Sequence, residues 1–208
     1  MIAEKVLFMV RHGSLINSNL GVLNGQSDTP LTEQGLRETM QWKGYLKQNG
    51  VDVIVSSDLK RSLVPAKKYS QYLKKPHLIF RDLREIDAGK WELKNVKEVM
   101  EKEGEYYMKR VKNPANIPFP NGESLKMLKK RVVNCVNKLL ASNDYNRILY
   151  VGHAGVIRVI MLSYLGLPLN NFFKLEVDFG SLTILRFFHD GIVTLKLFNA
   201  KNEKAVLV

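Results

Sequence analysis

Two short apolar segments far apart in the chain each end in a histidine, and this pair is the feature that most constrains the fold. Val6–Val10 leads into Arg11-His12-Gly13, and Arg147–Val151 leads into Gly152-His153. Continuous apolar runs of this length are typical of strands buried on both faces of a parallel sheet. Because ligands bind beyond the carboxyl ends of such strands, we expect both imidazoles at one edge of the sheet.

Strand and helix patterns alternate along the rest of the chain. Further strands are predicted at 52–56, 78–80, 181–188 and 192–198, and helices at 33–48, 59–73, 94–103, 123–142 and 156–165. The last two strands flank Asp190-Gly191, a signal for a two-residue hairpin turn. This order predicts an α/β fold: a three-layer sandwich with a mostly parallel central sheet, helices on both faces and an antiparallel edge pair. We expect a single domain over 1–208, with a small cap insertion at about 82–122.

Charge and composition limit the classes of partner. Lys plus Arg is 32 and Asp plus Glu is 20, so the net charge is 32 − 20 = +12, and Lys60–Arg131 holds 19 basic and 9 acidic residues. A basic middle third suits nucleic acid, an anionic membrane, a small anionic substrate or a lysine-rich solvated surface. No apolar run reaches the roughly 20 residues of a membrane span, and no signal-peptide pattern follows Lys5. We therefore expect a cytoplasmic protein without a membrane partner.

Arginines and a carboxylate accompany the two histidines at predicted strand ends and loops. Arg11 precedes His12, Arg61 follows the second strand near a helix start, and Glu85 lies in irregular chain. Arginine binds phosphate through paired hydrogen bonds. Two arginines, two histidines and one carboxylate suit phosphoryl transfer without a metal, in which an imidazole attacks phosphorus, the cations stabilise the oxygens and a carboxylic acid protonates the leaving oxygen.

Other phosphoryl-transfer chemistries lack their sequence patterns. The chain has no phosphate-binding Gly-x-x-x-x-Gly-Lys-Ser/Thr loop, no Asp-x-Asp after a strand and no His-Glu-x-x-His. The only cysteine, Cys135, has Ala141 rather than arginine six residues later, and it lies on the apolar stripe of a predicted helix. We expect Cys135 to be a core residue, and an intrachain disulfide is excluded.

Five motifs occur in order between about residues 6 and 190. They are Arg11-His12-Gly13 with Pro30-Leu31-Thr32-x-x-Gly35, Ser56-Ser57-Asp58-Leu59-x-Arg61-Ser62, Leu83-Arg84-Glu85-Ile86-Asp87-x-Gly89-x-Trp91-Glu92, Pro120-Asn121-Gly122-Glu123-Ser124 and Gly152-His153-Ala154-Gly155-Val156-Ile157-Arg158. This set resembles the histidine phosphatase superfamily, also called the phosphoglycerate mutase-like or RHG family. The compact length and the third and fourth motifs look most like its α-ribazole phosphatase and metal-independent phosphoserine phosphatase branches.

The resemblance implies a role for each matched residue. His12 would be the nucleophile that forms a phosphohistidine, and Glu85 the general acid and then the base, with Asp87 and Glu92 as alternative acids. Three side chains would hold the phosphoryl oxygens: Arg11, Arg61 and His153. The implied substrate or phosphate contacts are Ser18, Asn24, Gly25 and Ala154. No metal and no cofactor are implied.

The first motif departs from the family pattern Arg-His-Gly-Glu-Thr-x-x-Asn. Ser14 and Leu15 replace the Glu-Thr pair, and Ser18 stands at the Asn position. A serine hydroxyl can still donate to a phosphoryl oxygen, with a shorter reach, whereas Leu15 offers no hydroxyl. These replacements leave a slow enzyme or a degenerate, non-catalytic binding member as alternatives.

The function implied is hydrolysis of a small anionic phosphometabolite such as α-ribazole 5'-phosphate. The resemblance does not decide whether the substrate carries a second negative group. The alternatives are a phosphoserine phosphatase and a phosphoglycerate mutase. Only 153 − 85 = 68 positions separate Glu85 from His153, and family mutases carry a larger insertion there, so a short cap favours hydrolysis. Nucleic-acid binding through Tyr106-Tyr107 lacks a supporting motif and is not expected. A homodimer remains one option.

Overall fold

A six-stranded sheet forms the centre of the protein, whose computed structural model describes residues 4–203. The strands are β1 (Lys5–Arg11), β2 (Val53–Ser56), β3 (His77–Ile79), β4 (Arg147–Gly152), β5 (Leu182–Phe187) and β6 (Val193–Ala200). Their order across the sheet is β3-β2-β4-β1-β5-β6. Neighbours from β3 to β1 are parallel, and β5 is antiparallel to both β1 and β6. The predicted mostly parallel sheet with an antiparallel edge pair is confirmed.

Helices cover both faces of this sheet. The helices of the protein are α1 (Glu33–Met40), α2 (Lys43–Gln48), α3 (Lys60–Leu73), α4 (Val96–Lys112), α5 (Leu125–Ala141) and α6 (Ala154–Tyr164). Of these, α4 packs in a separate buried cluster with Trp91 and Phe119. Alternate residues of β1 point to opposite faces, because side chains alternate along a strand. Phe8 packs with residues of α2 and α3, whereas Met9 packs with residues of α5 and α6. These two buried clusters make the predicted three-layer sandwich.

The single helix predicted over 33–48 is wrong, because the helix breaks between Met40 and Lys43 into α1 and α2. Trp42 lies at the break, is fully buried, and its indole N–H donates to the Gly180 carbonyl at 2.7 Å. The start of α1 is as predicted: the Thr32 hydroxyl accepts a hydrogen bond from the Gly35 amide at 2.8 Å. A tertiary contact of one large side chain thus overrides the local helical pattern.

Helix α4 extends further than the predicted 94–103, continuing to Lys112 across a kink at Glu103, where φ is −133° and ψ is 30°. Trp91 is fully buried, and its ring contacts those of Tyr106, Tyr107 and Phe119 at centroid distances of 5.9, 5.9 and 5.6 Å. Trp91 is therefore a packing residue. It joins α4 to the irregular chain on either side of it.

Helix α3 contains Pro65 in its first half. The turn between β5 and β6 spans Phe188 to Ile192 and has Gly191 at φ +79°, so it is longer than the two-residue turn predicted. Within residues 4–203, no helix combines the length and the hydropathy needed to cross a bilayer.

Candidate active site

His12 and His153 meet at one edge of the sheet, as the strand pattern predicts. Strands β1 and β4 are parallel neighbours whose register places Arg11 opposite Gly152. The backbone amide of His12 donates to the Gly152 carbonyl at 2.8 Å. The two imidazole centroids lie 5.5 Å apart with an angle of 67° between the rings, and His12 is only 5% exposed.

The environment of His12 leaves one ring nitrogen free for chemistry. Its Nδ1 lies 2.8 Å from the Gly13 carbonyl, which can only accept, so Nδ1 carries the hydrogen. The lone pair is then on Nε2. Burial, followed by the positive charges of Arg11 and Arg61, holds the pKa of His12 well below its usual 6.5. His12 is therefore neutral, and hence nucleophilic, at pH 7.

Two arginines, the fully buried Arg61 and the partly buried Arg11, lie beside His12 without a carboxylate partner. Arg61 is fully buried and donates to the carbonyls of Ser27, at 2.5 Å, and of Gly25. Arg11 donates to the Val177 carbonyl at 2.6 Å, and burial lowers its pKa to about 10. Among residues 4–203, neither guanidinium forms an ion pair with a carboxylate. Because an uncompensated buried charge is costly, this site favours an incoming anion.

Several buried nitrogens around His12 have no hydrogen-bond partner in the part of the chain that the structure describes. They are Nε of Arg11, Nε of Arg61 and Nδ1 of His153. The other nitrogen of His153, Nε2, pairs with the Ser57 hydroxyl at 2.7 Å, so the hydroxyl can donate and leave the hydrogen on Nδ1. An anion with several acceptor oxygens, such as a phosphoryl group, would satisfy these donors.

Glu85 reaches this site from the loop before α4. Its Oε2 accepts from the Gly155 amide at 2.9 Å, in the first turn of α6, and its Oε1 accepts from the Ile86 amide at 2.9 Å. A Cβ on Gly155 would lie 2.2 Å from Oε1, so this approach requires glycine. Burial lowers the pKa of Arg11 and Arg61, and the negative charge of Glu85 partly offsets this lowering.

The two alternative acids also accept hydrogen bonds from backbone amides, but neither lines the cavity that Glu85 lines. The carboxylate of Glu92 accepts from four backbone amides, those of Gly25, Gln26, Ser27 and Ala88. Asp87 accepts from the Gly89 amide at 2.8 Å. Glu85, by contrast, lines a cavity beside the histidines. This geometry favours Glu85 over Asp87 and Glu92 as the proton donor.

The cavity next to Glu85 has a volume of about 200 Å³. Four of the predicted site residues line it: Asn24, Gly25, Glu85 and Ala154. Arg11, His12, Arg61 and His153 lie outside its lining. The rest of the wall is largely aromatic and cationic, with Tyr107, Arg110, Phe119, Arg158, Phe172 and Phe173. Among the described residues, no group of three or more His, Cys, Asp and Glu side chains could hold a metal ion.

Residues 7–200 match the family model described as histidine phosphatase superfamily (branch 1). The chain belongs to the histidine phosphatase superfamily.

Relatives of this histidine phosphatase cover nearly the whole chain. It is 26% identical to an adenosylcobalamin/alpha-ribazole phosphatase of Salmonella typhimurium, over 94% of this chain and 96% of the relative. It is 30% identical to phosphoserine phosphatase 1 of Hydrogenobacter thermophilus, over 92% of this chain and 90% of the relative. The alpha-ribazole phosphatase structure from Shigella flexneri superposes with a TM-score of 0.85 over 95% and 97% of the two chains, and its 24% identity supports the fold alone. Family and relatives support phosphatase activity.

The loop that departs from the family motif is held by bonds within this histidine phosphatase. Ser14 pairs with Thr32 through their hydroxyls at 2.9 Å, and Leu15 is buried. The hydroxyl oxygen of Ser18, an exposed residue, accepts from the Leu15 amide at 2.7 Å. The amide oxygen of Asn24 accepts from the Thr29 hydroxyl at 2.9 Å. The Ser18 oxygen therefore supports the loop as an acceptor, and because its O–H can still donate, the phosphate contact of Ser18 stays a prediction.

Two arginines of the histidine phosphatase site were not among the predicted site residues. Arg158 lines the cavity, and its Nε donates to the Leu175 carbonyl at 2.7 Å. A signal for Arg158 existed, because it stands four residues after Ala154 and so shares a helical face with it.

Arg131 is the second, and it holds the segment that carries Glu85. It forms paired bonds of 2.7 Å with the Glu123 carboxylate and also donates to the carbonyls of Asp82, Arg84 and Glu85. The sequence offers no comparable signal for Arg131, since it is one of three consecutive basic residues on α5.

Proposed function

We propose that this histidine phosphatase hydrolyses a phosphomonoester through a phosphohistidine on His12. The observation that carries the proposal is the buried, neutral His12, with Nε2 free, among the unpaired nitrogens of Arg11, Arg61 and His153. A phosphoryl group in this setting faces a nucleophile and several fixed positive donors at once. Such donors stabilise the charge that builds on the oxygens in the transition state.

The reaction has two steps. In the first, His12 Nε2 attacks phosphorus, the bond from phosphorus to the leaving oxygen breaks, and a protonated Glu85 gives its proton to that oxygen. In the second, the Glu85 carboxylate removes a proton from water, the water oxygen bonds to phosphorus, and the bond to Nε2 breaks to release phosphate. No metal enters either step. Asn24, Gly25 and Ala154, which line the cavity, contact the rest of the substrate, and Ser18 is the remaining predicted contact.

The proposed substrate is a small phosphomonoester whose alcohol part occupies the cavity beside Glu85. The first two candidates are α-ribazole 5'-phosphate and phosphoserine, because relatives carry the corresponding names. Phosphoglycerate mutase activity is the alternative within the family, and a non-catalytic binding protein is the alternative suggested by Leu15 and Ser18. We also propose that the protein acts in the cytoplasm and that its partner is a small phosphorylated metabolite.

The test is phosphate release by the purified protein in the presence of EDTA. The panel is α-ribazole 5'-phosphate, phosphoserine, 3-phosphoglycerate, fructose 2,6-bisphosphate and p-nitrophenyl phosphate. We expect hydrolysis that EDTA leaves unchanged, with one substrate favoured by roughly a hundredfold in kcat/KM, equivalent to about 2.7 kcal/mol of transition-state binding. Isomerisation of 3-phosphoglycerate without phosphate release would favour a mutase. The absence of both turnover and a phosphoenzyme would contradict the proposal.

A further inference from the structure

Arg110, on α4, is a buried cation that the proposed chemistry does not use. It is 6% exposed and lines the cavity, and its Cζ lies 3.5 Å from the centroid of the Phe119 ring. Its Nε is buried without a partner, and across residues 4–203 its guanidinium makes no hydrogen bond or ion pair. Burial lowers its pKa only to about 10, so Arg110 is charged at neutral pH.

Arg110 is separate from the cations around His12. Arg110 lies against Phe119 in the cavity wall, whereas Arg11 and Arg61 lie outside the cavity lining and donate to the Val177 and Ser27 carbonyls. The cavity wall therefore has a positive group on α4, in addition to those that surround the proposed phosphoryl site.

Within residues 4–203, no carboxylate forms an ion pair with Arg110. Glu85 is the only carboxylate in the cavity lining, and the neighbouring Lys109 forms an exposed ion pair with Glu105 at 2.8 Å. Leaving a charged group buried and unpaired is costly, so a site that retains one is suited to an anion brought by the ligand. A guanidinium supported on an aromatic ring presents its N–H edge outward, the geometry that pairs with a planar carboxylate.

We propose that Arg110 is an anion-binding subsite that receives a carboxylate on the alcohol part of the substrate. The preferred substrate is then a phosphorylated acid. This inference rests on the proposed hydrolysis at His12 and narrows it: phosphoserine carries such a carboxylate, whereas α-ribazole 5'-phosphate has no acidic group besides its phosphate.

The test compares matched acid and amide substrates, 3-carboxyphenyl phosphate with 3-carbamoylphenyl phosphate, and 3-phosphooxypropionate with its amide. We expect the wild-type protein to favour the acid of at least one pair by about tenfold in kcat/KM, and Arg110→Met to bring that ratio close to one. Arg110→Lys should keep part of the preference. Lys109→Met, which removes an exposed charge from the next position of α4, is the matched control and should keep the wild-type ratio.

The ratio separates recognition from packing on Phe119, because a purely structural role of Arg110 would change acid and amide turnover alike. A second measurement, calorimetric binding of 3-hydroxybenzoate and 3-hydroxybenzamide, needs no turnover. One outcome is that phosphate release fails on every substrate while the wild-type protein still binds the acid more tightly than the amide and Arg110→Met binds the two equally. In that case the proposed hydrolysis is wrong and the proposed subsite is supported. Equal treatment of acid and amide by wild type in both assays, or an acid preference that survives in Arg110→Met, would overturn the subsite.

Discussion

The imidazoles of His12 and His153 lie 5.5 Å apart at the carboxyl ends of two neighbouring parallel strands. The pairing of Arg11 with Gly152 brings them together, because each histidine is the next residue after a paired position. Burial lowers the pKa of both rings well below 6.5, so the two can lie close together without charge repulsion. One ring is thus available to attack phosphorus, and the N–H of the other is available to donate a hydrogen bond to a phosphoryl oxygen.

Replacing His12 with alanine should abolish phosphate release. Because this substitution removes the proposed nucleophile, we expect kcat/KM to fall by roughly 10³-fold or more. Rapid acid-free quenching with labelled substrate should trap an acid-labile phosphoenzyme in the wild-type protein and none in His12→Ala. His189→Ala is the matched control, because His189 has an 83% exposed side chain in the β5–β6 turn. A phosphoenzyme that persists in His12→Ala would show that another residue is the nucleophile.

Replacing Glu85 with glutamine should separate the two steps of the reaction. Alkyl phosphates need a proton on the leaving oxygen, so kcat/KM should fall by roughly 10²- to 10⁴-fold for them. With p-nitrophenyl phosphate the leaving group needs no proton, so the first step should proceed and the phosphoenzyme should accumulate. The amount of labelled protein at steady state measures this.

The control for Glu85→Gln is Asp87→Asn, since Asp87 accepts from the Gly89 amide and does not line the cavity. It should retain most of the wild-type turnover with every substrate. If Asp87→Asn accumulated the phosphoenzyme and Glu85→Gln did not, the general acid would have to be reassigned to Asp87.

The strand ends could be predicted from sequence, because a run of apolar residues followed by a charged residue or a glycine is visible in the local pattern alone. That reasoning located His12, His153 and Arg61, and the structure brings these three together. It could not locate the break between α1 and α2 at Trp42. The Trp42 indole N–H donates to the Gly180 carbonyl, which lies far along the chain. Local periodicity carries no information about such a partner.

The same limit applies to the walls of the cavity. Arg110 lies in a stretch of α4 crowded with charged residues, where one buried arginine looks like any solvated one. For Ser18, the motif position suggests a phosphate contact, but the motif gives no sign of the bond that its oxygen accepts from the Leu15 amide. Motif spacing predicts which residues approach a site, whereas the final hydrogen bonds depend on loops packed from elsewhere in the chain.

The lowered pKa values of His12 and His153 predict how stability depends on pH. Both rings are neutral in the folded protein and titrate near 6.5 when unfolded, so below pH 6.5 the unfolded chain binds more protons. The contribution of the two rings to the free energy of unfolding is complete above pH 6.5. It is lost as the pH falls towards their pKa values in the folded protein. Each ring adds a slope of at most about 1.4 kcal/mol per pH unit.

Urea unfolding between pH 7.5 and 5 measures this slope. His153→Gln should show a shallower fall in the free energy of unfolding than the wild-type protein, because one of the two titrating groups is absent. His189→Gln, which removes an exposed histidine, should keep the wild-type slope. Identical slopes for His153→Gln and wild type would mean that His153 is not held neutral by the fold.

Arg131 should support both stability and catalysis, because its guanidinium joins Glu123 to the carbonyl groups around Glu85. Both partners of the ion pair are largely buried, with 17% and 15% of their side chains exposed. Arg131→Met leaves Glu123 buried without its cation, so we expect the free energy of unfolding to fall by about 3 kcal/mol. Turnover should also fall, since the segment that carries Glu85 loses its anchor.

The comparison that isolates this role is Lys130→Met, the adjacent exposed position, which should change the free energy of unfolding by less than about 0.5 kcal/mol. Adding Glu123→Gln to Arg131→Met should recover part of the lost stability, because it removes the unpaired carboxylate. It should not recover turnover, since the bonds from Arg131 to the Asp82, Arg84 and Glu85 carbonyls remain absent. Recovery of turnover together with stability in the double variant would show that Arg131 acts on catalysis only through global stability.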